Sequence, residues 1–167
     1  MRLYHLYNFL TAPGVVVHEL AHAFFCVISG VKIYRVRLYQ FGPVAGFVEH
    51  EEPRGFWSGL FITLGPLIIN SLLAAFLFSL FRPPFWSWHS WVFLLLGLAV
   101  GLHAIPSGGD ARSLFQLANR RVWRNPLMLL AYPLVLVLGI LYWLKRFHIH
   151  FVYTAALFWL GNIFWKF

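Results

Sequence analysis

Long stretches without charged residues constrain the fold of this chain more than any other feature of its sequence. Residues 56–81 contain no Asp, Glu, Lys or Arg, and neither do residues 85–109. Each stretch is longer than the roughly 20 residues that an α-helix needs to cross the hydrocarbon core of a bilayer. Charged residues make up only 11% of the 167 residues, against about 25% in a soluble domain. The sequence therefore predicts a polytopic membrane protein.

Five apolar stretches predict about five transmembrane helices. The first lies between Arg2 and Lys32, where Glu19 carries the only formal charge. The other four cover residues 56–81, 85–109, 125–144 and 147–165. Proline does not continue a helix, so Pro83-Pro84 predicts a tight turn between the second and third stretches.

Two further segments are not predicted to span the membrane. Residues 31–52 are rich in Val, Ile, Tyr and Phe and are interrupted at residues 40–43, a pattern typical of a β-hairpin at the membrane surface. Residues 110–124 place Leu114 and Leu117 on one face and arginines elsewhere, which predicts an interfacial amphipathic helix. The expected fold class is an all-α polytopic membrane protein, with the hairpin after the first span and the interfacial helix after the third.

The chain is expected to form a single membrane domain. Residues 1–115 hold its core, and residues 116–167 hold the interfacial helix and the last spans. A net charge of +8 would suggest nucleic acid in a soluble protein, but these basic residues lie between apolar stretches, where they contact lipid and set orientation. Nucleic acid is therefore not an expected partner. Nine basic residues on one side against four on the other predict a cell-membrane protein with its N-terminus outside and its C-terminus cytoplasmic.

His18, Glu19 and His22 form an H-E-x-x-H pattern on the first span. Residues i and i+4 share one face of a helix, so both imidazoles can bind one metal ion while Glu19 activates the attacking water. Two imidazoles favour zinc. The alternative is a polar contact between helices, but such contacts rarely need three ionisable groups at membrane depth.

A catalytic zinc usually takes three protein ligands and leaves one position open. Asp110 is the first choice for the third ligand because Pro106 ends the third span and two glycines let the backbone turn towards a neighbour. Its alternative role is an ordinary helix N-cap. His103 is the second choice, whereas Glu49 and His50, at the end of a predicted strand, are expected to face solvent.

One geometric difficulty concerns depth in the membrane. If the first and third spans run parallel, His18 and Asp110 differ in depth by roughly 15 to 18 Å at helical rise. The difference closes if the first span ends near Gly30 and residues 106–110 fold back into the bundle, with irregular backbone lining a water-filled cavity.

Three motifs together resemble the site-2 protease family of intramembrane zinc metalloproteases, in a small form without a PDZ or CBS domain. The family places a Gly-Pro-x-x-x-Asn segment on its second core helix and an Asp-containing loop, usually Leu-Asp-Gly, on its third. The motifs are residues 18–22, Gly65-Pro66 with Asn70, and Pro106 with Asp110. Asp110 stands between Gly109 and Ala111 rather than in Leu-Asp-Gly. The resemblance covers about residues 10 to 115.

The resemblance implies that His18, His22 and Asp110 bind one Zn²⁺ ion and that Glu19 is the general base. It also implies that Asn70 positions substrate or stabilises the oxyanion, although an amide in an apolar span can equally form hydrogen bonds between helices. The implied activity is cleavage of a peptide bond in or next to a transmembrane segment of a membrane-protein substrate, by zinc-activated water.

A second function of a different class is a catalytically silent, metal-binding membrane scaffold that binds a partner protein. The intact Glu19 argues against it, because a scaffold needs no base between its ligands. A transporter or channel is less favoured because the chain shows no repeat symmetry. The hairpin follows the metal-binding span directly, where it offers either a strand edge for an extended substrate or a plug for the bundle.

Overall fold

A computed structural model of the chain describes residues 2–42, 44–82, 87–144 and 147–164. These residues form seven α-helices, one short 3-10 helix and a two-stranded antiparallel sheet. In chain order the elements are α1 Arg2–Leu10, α2 Ala12–Ile28, β1 Ile33–Arg37, β2 Phe47–His50, α3 Phe56–Ser79, α4 Trp88–Leu102, α5 Gly108–Arg121, the 3-10 helix Pro126–Leu130, α6 Ala131–Leu144 and α7 Ile149–Phe164. The predicted turn at Pro83-Pro84, three of the counted basic residues (Lys145, Arg146, Lys166) and the end of the fifth stretch at Trp165 lie outside the described residues.

Two helical segments of the described chain are long and apolar enough to cross a membrane. They are α3, with 24 residues, and the continuous segment Pro126–Leu144, with 19. The other apolar helices are shorter: α2 has 17 residues, α4 has 15 and α7 has 16. The predicted mostly helical fold with long apolar helices is therefore confirmed. Two of the five predicted spans are long enough to cross a membrane.

The first predicted span is divided into two helices. Thr11 separates α1 from α2, and Pro13, which has no backbone N–H, lies at the start of α2. The ring of Phe9 in α1 stacks on Phe41 in the loop between the strands, with centroids 6.1 Å apart. The helix α1 therefore reaches the hairpin loop.

The third predicted span is shorter than expected. The helix α4 ends at Leu102 rather than at residue 109, and residues 103–107 form no helix. Pro106 accounts for this early end, because it has no N–H to donate to the Leu102 carbonyl and its ring would clash with that carbonyl in a continued helix. The next helix, α5, starts at Gly108 and has the apolar face that the sequence predicted. Side chains of α3 and α6 pack against this face and bury it.

The predicted hairpin is present within residues 31–52. Strands β1 and β2 pair antiparallel, with Val36 opposite Val48, and an irregularity interrupts the ladder near the start of β1. The Glu51 N–H donates to the Lys32 carbonyl at 2.8 Å and extends the pairing beyond the strands. The hairpin therefore follows α2 directly, as expected.

Close packing holds α2, α3 and α4 together. A Cβ atom added at Gly14 in α2 would overlap the Ala99 carbonyl oxygen in α4. The buried Asn70 amide of α3 donates to the Gly14 and Val100 carbonyls, at 3.3 Å each. Glycine is therefore required for the backbone of α2 to approach α4 this closely.

Gly14→Ala should lower the free energy of unfolding by about 1–3 kcal/mol, because the new methyl group forces α2 and α4 apart. The thermal unfolding midpoint in detergent would measure this effect. The matched control is Gly139→Ala on α6, where a Cβ meets nothing within 4 Å among the described residues. The control should be neutral or slightly stabilising, since Ala favours helix over Gly. Equal midpoints for the two variants would contradict the contact between α2 and α4.

Candidate metal centre

The H-E-x-x-H residues lie together on the buried face of α2. His18, Glu19 and His22 are 9%, 7% and 7% exposed. The two imidazole rings meet edge to face, with centroids 4.9 Å apart. The four-residue spacing thus places both rings on one side of the helix, as the sequence predicts.

Backbone carbonyls orient both imidazole rings. His18 Nδ1 lies 2.7 Å from the His103 carbonyl oxygen, and His22 Nδ1 lies 2.8 Å from the Ile62 carbonyl oxygen. A carbonyl oxygen can only accept, so Nδ1 donates in each case, and Nε2 of the neutral ring keeps its lone pair. Both Nε2 atoms are therefore ready to bind a metal ion.

Each of these carbonyls is available because a regular helical hydrogen bond is missing. The helical partner of the Ile62 carbonyl would be the N–H of residue 66, which is Pro66 and has none. His103 follows the last residue of α4, where carbonyls have no partner within the helix. Local sequence therefore creates the two acceptors that hold the histidines.

Asp110 completes the group from the first turn of α5. Its Oδ1 lies 3.1 Å from His22 Nε2 and its Oδ2 lies 3.7 Å from His18 Nε2. The three ligand atoms lie within 4.8 Å of one another. The N-cap of α5 is Ser107, whose backbone N–H donates to Asp110 Oδ2 at 2.6 Å in a capping box. Asp110 thus stabilises the start of α5 and faces both histidines at once.

The irregular segment between α4 and α5 brings Asp110 beside His18 and His22. Because α4 ends at Leu102, residues 103–107 bring the chain back so that α5 begins beside α2. The predicted fold-back of residues 106–110 is present.

These donor atoms fit a divalent metal ion. Ligand atoms bound to zinc at about 2.0–2.1 Å stand about 3.3 Å apart at tetrahedral angles. The distances of 3.1 and 3.7 Å, which join His22 and His18 to different oxygens of Asp110, lie near this value, and all three ligand atoms lie within 4.8 Å of one another. Two imidazole nitrogens and a carboxylate converge here, and a divalent cation can take the place of the protons that otherwise lie between them. Three ligands leave one tetrahedral position open.

The charge of Asp110 suits this arrangement. Burial by itself raises the pKa of the carboxyl group, but its hydrogen bonds with His18 and His22 hold that pKa well below the usual value. Asp110 is therefore ionised at neutral pH, as a metal ligand must be.

A cavity of about 1030 Å³ opens onto the group. Its walls come from α1, α2, α3, α5, α6 and the hairpin, and the loop of the hairpin covers Glu19: a Cβ added at Gly46 would lie 2.7 Å from Glu19 Cγ. The Glu19 carboxylate also lines this cavity, and no residue that the structure describes forms a hydrogen bond or ion pair with it. Glu19 is therefore free to hold a water molecule beside the three ligands.

The other three residues considered for the site, His103, Glu49 and His50, do not belong to the group of His18, His22 and Asp110. The side chain of His103 is not a third ligand; its Nε2 lies 2.8 Å from Thr11 Oγ1, and only its carbonyl oxygen touches His18. Glu49 is exposed, as expected, whereas His50 is half-buried and lines the cavity. Its Nδ1 lies 2.7 Å from the Glu51 carbonyl oxygen.

Asn70 lies in the helix interface and does not line the cavity. It is fully buried, its amide nitrogen donates to backbone carbonyls of α2 and α4, and its Oδ1 has no partner among the described residues. This geometry matches the alternative of hydrogen bonding between helices. The implied role of Asn70 at the oxyanion stays a prediction.

Sequence reasoning missed three contributions to the centre. The Ile62 carbonyl had a signal, namely a proline four residues later in an apolar helix. Thr63 and Tyr142 also line the cavity, and neither carries a recognisable motif.

Comparison of the chain with protein-family models, with curated proteins and with solved structures finds no match.

The purified protein should bind about one zinc ion per chain, measured by elemental analysis after dialysis. His18→Ala and His22→Ala should each lose the ion, and Asp110→Ala should weaken its binding. His103→Ala should keep it, because the carbonyl that orients His18 belongs to the backbone. The exposed His89 provides a surface control, His89→Ala.

Full metal content in both the His18→Ala and His22→Ala variants would contradict the metal centre. Loss of metal in His103→Ala with retention in Asp110→Ala would show that the third ligand is His103.

Proposed function

We propose that this chain is an intramembrane zinc metalloprotease of the site-2 protease type. Its reaction would be cleavage of a peptide bond in or next to a transmembrane segment of a membrane-protein substrate. The observation that carries this proposal is the convergence of His18, His22 and Asp110 beside an unpaired Glu19 in one cavity of a helical bundle. Zinc is proposed because two imidazoles and one carboxylate form a catalytic zinc set with an open position.

The proposed chemistry assigns a role to each residue of the centre. His18, His22 and Asp110 would hold zinc, which when bound polarises the substrate carbonyl and acidifies water. Glu19 removes a proton from the attacking water as the water oxygen bonds to the carbonyl carbon. Glu19 then passes this proton to the amide nitrogen as the C–N bond breaks.

Glu19→Gln should bind zinc normally but lose at least about 10²-fold in turnover, because an amide does not accept the water proton. The assay uses fluorescent single-span model peptides with a central Asn-Gly pair in proteoliposomes. Glu49→Gln, which changes an exposed carboxylate, is the matched control. Undiminished cleavage by Glu19→Gln would rule out the proposed base.

The silent scaffold is the second candidate, and the same assay separates it from the protease. Zinc binding without Glu19-dependent cleavage of any of these peptides would favour the scaffold.

Asn70→Ala distinguishes the two roles proposed for Asn70, at the oxyanion and in helix packing. A loss of about 10²-fold in kcat at an unchanged unfolding midpoint would indicate the oxyanion, whereas a lower midpoint with kcat retained would indicate helix packing.

We propose a multi-pass protein of the cell membrane with its N-terminus outside and with the hairpin and C-terminus in the cytoplasm. The distribution of Lys and Arg supports this orientation. In a Cys26→Ala background, Glu49→Cys should react with an impermeant thiol reagent only from the cytoplasmic side, and His89→Cys only from outside. The reverse pattern would overturn the orientation without affecting the metal centre.

A further inference from the structure

Thr63 on α3 differs from the other buried hydroxyl side chains of the described chain. It is 5% exposed, and its hydroxyl forms no hydrogen bond with any residue in the described ranges. The four other buried hydroxyls each donate to a backbone carbonyl: Thr11 to Tyr7, Ser79 to Phe76, Ser90 to Arg82 and Thr154 to His150. Thr63 Oγ1 is not among the enclosed polar atoms that lack a partner, so this hydroxyl opens onto the cavity at the centre, where a bound ligand can accept its hydrogen bond.

The position of Thr63 places it at the metal centre. It follows Ile62, whose carbonyl accepts the hydrogen bond from His22 Nδ1, while Nε2 of the same ring faces Asp110. A single imidazole ring therefore separates this turn of α3 from the start of α5. Thr63 also lines the cavity that contains Glu19. Its free hydroxyl and the three metal ligands thus share one space.

Two other side chains near the centre already have partners. The Asn70 amide donates to the Gly14 and Val100 carbonyls and does not line the cavity. The His103 ring pairs with the Thr11 hydroxyl.

We propose that Thr63 is a further catalytic residue, whose hydroxyl donates a hydrogen bond to the substrate carbonyl oxygen as negative charge develops on it. This inference rests on the proposed metalloprotease function. No proton is transferred, because the hydroxyl only donates a hydrogen bond. A donor in a buried cavity stabilises such charge more effectively than the water it replaces. The same hydroxyl would bind any small anionic oxygen ligand held at the His18, His22 and Asp110 group.

Acetohydroxamate binding to the cobalt-substituted protein tests this role without a peptide substrate. The visible absorption of Co²⁺ reports the dissociation constant. Thr63→Val, which removes the hydroxyl at nearly constant volume, should raise that constant about tenfold. Thr63→Ser should stay within about threefold of the native protein, because it keeps the donor. Thr154→Val removes a buried hydroxyl that already bonds to the His150 carbonyl, and it should leave the constant unchanged.

Peptide cleavage gives the second measurement. Thr63→Val should lower kcat by about 10²-fold with little change in KM, at full metal content, because the hydrogen bond strengthens only as charge develops. Thr63→Ser should restore most of the rate. Thr63→Ala replaces the valine variant if the unfolding midpoint shows that valine disturbs α3.

Native acetohydroxamate affinity in Thr63→Val and Thr63→Ala, with cleavage still dependent on Glu19, would overturn the role of Thr63 and leave the proposed function intact. Equal weakening in Thr63→Val and Thr154→Val would assign Thr63 to packing alone. Failure of the native protein to bind Co²⁺, or cleavage that does not depend on Glu19, would overturn the proposed function and this role together.

Discussion

Two hydrogen bonds from imidazole rings to backbone carbonyls are the interactions on which the centre depends. They orient each ring, so that the Nε2 atoms of His18 and His22 face Asp110. Both acceptors exist because helices are interrupted. Pro66 withdraws the N–H that would pair with the Ile62 carbonyl, and the end of α4 leaves the His103 carbonyl without a helical partner.

The packing of the bundle keeps these carbonyls where the histidines can reach them. Backbone contact at Gly14 sets the separation of α2 and α4, and the Asn70 amide links α3 to both. The capping box of Ser107 and Asp110 fixes the first turn of α5. The Asn70 bonds satisfy a buried amide donor that would otherwise be unpaired. A small number of short-range contacts therefore positions side chains from three helices.

Much of the site was predictable because its main signals are local. The H-E-x-x-H spacing places two imidazoles on one helix face whatever surrounds the helix, and Pro106 with its glycines predicts a turn before Asp110. The hairpin followed from its composition and its break. The division of the first span at Thr11 and the early end of α4 were harder to predict, because apolar composition alone does not show where a helix kinks.

The sequence by itself determined the helical, apolar character of the chain, the hairpin, and the placement of His18 and His22 on one face of a helix, since these depend on periodicity and spacing within one segment. Only the tertiary structure placed Asp110, and not the His103 ring, beside these histidines, gave the Asn70 amide its partners, and left the Thr63 hydroxyl without one. Those outcomes depend on which carbonyls and side chains of distant segments come within about 3 Å, the reach of a hydrogen bond. Packing sets such distances, and no spacing within one segment reports them.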